Sequence, residues 1–182
     1  METPTLVPRP KSDAPSILEE AAEIMAPKVM EWCQQEGEQL TDDDLPQFKK
    51  HLAEVFDRVG YKGFDGYDLA KGLEDMHGYS PDSSLVEILD EAFHYVREAH
   101  QKAIKSWVKD NNIVVPFAVG DKVKVKQPFK KDVIGTITKI DAETAICFVN
   151  CPELGHRPPS TAGKLPGTHA ILVPHEALTK EP

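Results

Sequence analysis

A chain of 182 residues, 40% hydrophobic and 28% charged, is long enough to bury one sizeable core or two small ones. No apolar run approaches the roughly 18 to 20 residues that cross a bilayer. The start METPTLVPRPKSDAPS has neither the apolar stretch of a signal peptide nor the Arg/Ser-rich pattern of a transit peptide, so no membrane contact and a cytoplasmic location are expected.

Cys33, Cys147 and Cys151 are an odd number of cysteines in a chain that needs no covalent staples, which predicts reduced thiols. A net charge of −9 opposes polyanion binding by the whole molecule, but the charge is unevenly spread. Residues 1–113 carry 12 Lys+Arg against 23 Asp+Glu, a net −11, whereas residues 114–182 carry 9 against 7, a net +2. A mildly basic module therefore follows an acidic one.

Four prolines, Pro4, Pro8, Pro10 and Pro15, and no apolar period mark residues 1–15 as a flexible arm. From Ser16, the spacing of Ile17, Leu18, Ala21, Ile24, Met25, Val29, Trp32 and Cys33 predicts an amphipathic helix that Pro27 kinks or divides and Gly37 ends. A second helix is predicted from TDDDLPQFKKHLAEVFDRVG, capped by Thr41 or an aspartate, with Pro46 in its first turn and Gly60 as its stop. Asp65 caps a short third helix carrying Leu69, Leu73 and Met76, and Gly78 ends it. Ser80 as cap and Pro81 at the first helical position then open one long helix from Leu85 to Trp107.

At NNIVVPFAVG the apolar period changes from 3.6 to 2, which places the boundary at Asn111 to Pro116. Strands are predicted at Lys122–Lys126, Ile134–Ile140, Thr144–Val149 and His169–Val173, with DAE as a tight hairpin and NCPELGHRPPSTAGKLPGT as a long loop. The expected architecture is α+β, an N-terminal four-helix domain (16–112, acidic) followed by a C-terminal β domain (117–180).

FAVGDKVKVK, the GTITKI strand with its hairpin, and the closing AILVPHEALTK together resemble SH3-like small β-barrels, a superfamily that includes KOW-type and Tudor-type modules and the barrel of nitrile hydratase β subunits. The resemblance covers residues 117–180 and implies an SH3-like β-barrel there. It also implies binding to RNA, ribosomal components, peptides, methylated side chains or another subunit. No enzyme motif accompanies it, and the helical half does not carry the nitrile hydratase activity over.

Side chains alternate along a strand, so Lys122, Lys124 and Lys126 share one face and Val123 and Val125 the other. Lys130, Lys131 and Lys139 extend that positive surface, Phe129 offers a ring for stacking, and His156 and Arg157 lie in the long loop. Clustered lysine with an aromatic suits phosphate and single-stranded bases, although lysines on an edge strand also guard against edge-to-edge aggregation.

Cys147, Cys151, His156, His169 and His175 are zinc-type residues, but after Cys147-x3-Cys151 no second close ligand pair follows, so no metal is expected. DRVGYKGFDGYD lacks the carboxylates and the central glycine of a calcium loop, since Val59, Tyr61 and Lys62 occupy those places. His51, His77, His94 and His100 show no spaced catalytic partner and are read as ordinary helix histidines.

The functional expectation is a non-catalytic protein-interaction module or subunit of a larger complex, needing no cofactor and recognising another protein. The alternatives are a KOW-like nucleic-acid contact through the lysine face and an acidic, nucleic-acid-mimicking inhibitor built on Asp42, Asp43 and Asp44. No oligomeric state follows from the sequence.

Overall fold

The computed structural model of the protein describes residues 7–36, 41–59, 65–126, 132–152 and 170–181. The fold is α+β, and the chain divides into two compact units, 1–104 and 105–182. Among the described residues, no helix is long and apolar enough to cross a membrane.

The first unit begins with α1, Pro15–Gln35, whose Pro15 occupies the first turn, where its missing N–H costs nothing. Pro27 does not divide α1. Ala22, Met25, Ala26, Val29 and Met30 are buried on both sides of it, and that burial outweighs the lost hydrogen bond. A 3-10 turn, Asp42–Asp44, leads into α2, Leu45–Val59. Thr41 accordingly ties itself to the turn, donating its N–H (2.8 Å) and hydroxyl (3.1 Å) to Asp44 Oδ2.

Helix α3, Gly66–His77, starts and stops where its sequence says: Asp65 accepts from the Asp68 N–H at 3.0 Å, and Gly78 closes it in the left-handed region at φ 73°. The predicted long helix is instead two, α4 (Ser83–Leu89) and α5 (Ala92–Asp110), separated at Asp90 and Glu91. Ser80 is not its cap. Asp82 is, because its Oδ1 accepts the Leu85 N–H (2.9 Å), the Ser84 hydroxyl (2.7 Å) and the Trp32 indole N–H (3.1 Å). These bonds hold the Asp82 carboxyl below its ordinary range, the Leu85 amide contributing most.

Asp90, at the break, accepts the Gly66 N–H at 2.6 Å, so the end of α4 anchors the start of α3. α1 packs on α2, α2 on α3 and α3 on α4. Their stripes close one core around Met25, Leu52, Phe56, Leu69, Leu73 and Leu85, all fully buried.

The second unit carries an antiparallel five-stranded sheet: β1 Lys122–Val125, β2 Val133–Asp141, β3 Ile146–Asn150, β4 Ala170–Pro174 and β5 Leu178–Lys180. Among the described residues its order is β4-β3-β2-β1-β5, which leaves β4 and β5 as the outer strands. A 3-10 turn, His175–Ala177, aims β5 back onto β1. Lys180 fastens that return through Asp121, 3.2 Å away and just ahead of β1. The second core joins Val123, Val125, Ile137, Cys147, Val149, Cys151 and Val173.

One irregularity in β2 matters for the surface. The register against β3 shifts between Ile137 and Lys139, a bulge that leaves Thr138 and Lys139 both exposed and turns Ile140 toward the core. Strict alternation from Val133 would have turned Lys139 inward.

Candidate interaction surface

The sheet presents its apolar side to the second core and its other side to solvent. On β1, Val123 and Val125 are buried while Lys122, Lys124 and Lys126 are exposed, as the alternation requires. Directly opposed residues on neighbouring strands project to the same side. Lys122 faces Thr136 across the β1–β2 ladder, Lys124 faces Ile134, and on the β5 side Lys124 faces Thr179. Farther along, Lys139 faces Phe148, and Phe148 faces Leu172.

The resulting surface is mixed. Leu172 is 62% exposed and Ile134 42%, and Phe148 is half-buried between Lys139 and Leu172. The Lys139 ammonium lies over the Phe148 ring, 5.1 Å from its centroid, so the bulge in β2 gives this aromatic a cation on its face. Lys124 pairs with Asp132 at 3.3 Å. Among the described residues no carboxylate pairs with Lys122 or Lys126.

Of the nine residues singled out from the sequence, the structure places Lys122, Lys124, Lys126 and Lys139 on this one side. Phe129, Lys130, Lys131, His156 and Arg157 lie outside the described residues. Sequence reading missed Ile134, Phe148 and Leu172 as surface residues. An exposed aliphatic on a strand reads as core until the register between strands is known.

Among the described residues the zinc-type side chains do not converge. Cys147 and Cys151 are buried in the second core, where burial pushes the Cys147 thiol up, away from the thiolate a metal needs. His175 lies against Glu176 at 3.3 Å, and His156 and His169 are outside the described residues. Among the described residues no group of three His, Cys, Asp or Glu side chains is arranged to hold a metal ion.

The helix histidines are less ordinary than their sequence setting. His94 meets Glu98 one turn on at 3.3 Å, and the Nε2–H of His100 donates to the Pro10 carbonyl at 3.1 Å, laying that part of the proline-rich segment on α5. His51 and His77 come together across α2 and α3, with ring centroids 3.8 Å apart and planes only 12° from parallel. His51 and Glu54 are three apart on α2, so one helical turn is the sole sequence hint of this cluster. Compared with protein-family models, with curated proteins and with solved structures, the chain matches none.

Proposed function

We propose that this chain is a non-catalytic interaction module, the subunit of a larger complex, and that the solvent side of its sheet docks a protein partner presenting acidic and apolar side chains together. The observation that carries this reading is the exposure of Leu172 and Ile134 on the same side as Lys122, Lys124, Lys126 and Lys139. Exposed aliphatics gain from an apolar partner about 25 cal/mol for each Å² they cover. The surrounding lysines favour carboxylates and set orientation more than affinity.

The return of β5 to β1, with a 3-10 turn before it, supports the SH3-like barrel reading of residues 117–180, because pairing the last strand with the first curls such a sheet on itself. Nucleic-acid contact is the second reading. It is weaker because Lys124 is already compensated by Asp132 and because Leu172 and Ile134 have no flat face on which a base stacks. The acidic-mimic reading loses one of its groups, since the Asp44 carboxylate is occupied with Thr41.

The test uses the full chain in two titrations. A synthetic peptide alternating Glu with Leu is expected to shift the NMR signals of Ile134, Phe148 and Leu172. Leu172→Asp, replacing the most exposed aliphatic of the surface with a carboxylate, is expected to cost about 2 kcal/mol of that binding, roughly thirtyfold. Labelled single-stranded RNA, single-stranded DNA and duplex DNA are expected to show no salt-sensitive binding. Peptide binding untouched by Leu172→Asp overturns the reading. Salt-sensitive nucleic-acid binding abolished by Lys122→Glu with Lys124→Glu replaces it with the second.

A further inference from the structure

The stacked histidines of the helical unit have a setting that the sheet surface does not use. His51, in the middle of α2, lies face to face with His77, the last residue of α3. His51 Nδ1 is 2.9 Å from the Tyr79 hydroxyl, just past the end of α3, and His77 Nε2 is 3.5 Å from Glu54 Oε2 on α2. The edge of the Tyr79 ring meets His51, and Phe48 packs beside Tyr79 at 5.3 Å. Asp44, Gln47, Phe48, His51, His77 and Tyr79 line a cavity of about 310 Å³ that opens beside the stack.

We propose that this pair is a proton-operated clasp: it holds the end of α3 on α2 while His51 is neutral, and a proton on His51 releases it. The packing of the stack opposes a charge on His51. Glu54 Oε2 lies on the His77 side of the stack, 3.5 Å from Nε2. Face-to-face stacking at 3.8 Å keeps water from one face of the His51 ring, so a charge placed there is poorly hydrated. Around His51, Lys50 from its own helix adds repulsion, Glu54 adds attraction, and Asp44 approaches only across the cavity, its carboxylate held by Thr41.

The direction of titration agrees. Burial first, and the neighbouring His77 second, hold the His51 imidazole below its ordinary value. The unfolded chain therefore takes up the His51 proton more readily than the folded one. Above the unfolded value of about 6.5 the clasp is closed at no cost, and stability is lost as pH falls from there through the lower folded value. The carboxyl groups held low elsewhere, such as Asp82, lose their contribution only below the carboxylate range, so the two effects occupy separate windows.

What opens is local. Gly78, in the left-handed conformation, receives the end of α3 through its N–H to the Glu74 carbonyl at 3.0 Å, and Tyr79 N–H reaches the Leu73 carbonyl at 3.4 Å. Losing the His51–Tyr79 contact removes one of the contacts that anchor that turn to α2. The stretch from Leu73 to Tyr79 is then expected to fray while the buried stripe of α3 stays in place.

The experiment is an NMR pH titration of the full chain from pH 8 to 4.5, following the histidine ring protons together with amide-exchange protection, with assignments from His51→Gln and His77→Gln. The Gly78 and Tyr79 amide signals are expected to move with the His51 midpoint. Protection of the Leu73–Tyr79 amides, corrected for the intrinsic pH effect, is expected to fall about tenfold across that midpoint. In His77→Gln the His51 midpoint rises. Should that variant fold poorly, His77→Phe keeps a flat stacking partner without charge and is expected to raise the midpoint in the same way. A His51 midpoint that stays put in both variants, or protection that ignores it, overturns the proposal.

Discussion

Phe56→Ala is expected to remove about 3–5 kcal/mol from the stability of the helical unit. Phe56 has no exposed surface and sits among Leu52, Val55 and Leu69 in the first core. Truncation removes a ring that the neighbouring helices cannot collapse to replace, so both transfer energy and contacts around the void are lost. Against a typical total of about 5–15 kcal/mol, such a loss takes a substantial part of what holds a domain together. Urea unfolding followed by circular dichroism at the helical band checks it, with Tyr67→Ala as reference. Tyr67 is 62% exposed on α3, so its removal is expected to change stability by less than about 0.5 kcal/mol. A Phe56→Ala midpoint no lower than that of Tyr67→Ala would mean that the stripe of α2 does not face the core.

That stripe is where the sequence was most legible. Phe48, Leu52, Val55 and Phe56 recur at three- and four-residue spacing, and all four are buried. Asp65 and Gly78 were equally readable, because a cap bonds to a residue three positions on and a left-handed stop needs only the absence of a side chain. The misreadings share a different cause. Asp90 ends α4 beside Gly66, 24 residues away, and no local propensity records that bond. Asp82 outcompetes Ser80 as a cap partly because Trp32, 50 residues earlier, adds an indole N–H to the same carboxylate. Pro27 stays inside α1 because a buried stripe runs through it.

The candidate surface divides along the same line. Period-two alternation alone put Lys122, Lys124 and Lys126 on one side. Lys139 reaches that side only through a bulge, and Ile134, Phe148 and Leu172 join it only through pairings across strands. The stacked His51 and His77 require α2 and α3 to be packed first. Spacing within an element could be read in advance, while meetings between elements required the fold.

The meeting of α3 with α4 sets the second large effect. Gly66→Ala is expected to cost about 3 kcal/mol, at the upper end of what overpacking does. A Cβ on Gly66 would lie 2.1 Å from the Val86 carbonyl oxygen, 2.6 Å from Asp90 Oδ1 and 2.8 Å from the Asp90 nitrogen. A flexible side chain would swing aside, but the Val86 carbonyl belongs to the α4 backbone and its oxygen accepts the Asp90 N–H at 2.9 Å. Helix α3 must then back away, which also stretches the 2.6 Å bond from the Gly66 N–H to Asp90. Gly78→Ala separates this cause from glycine's conformational freedom. At Gly78 a Cβ meets nothing within 4 Å, and the only penalty is the left-handed φ of 73°, worth about 1–2 kcal/mol. Adding Asp90→Ala to Gly66→Ala should recover little, because the carbonyl contact remains. Full recovery in that double variant would show that the Asp90 side chain alone sets the distance between the helices, and a cost at Gly66 below that at Gly78 would mean that α3 and α4 do not approach this closely.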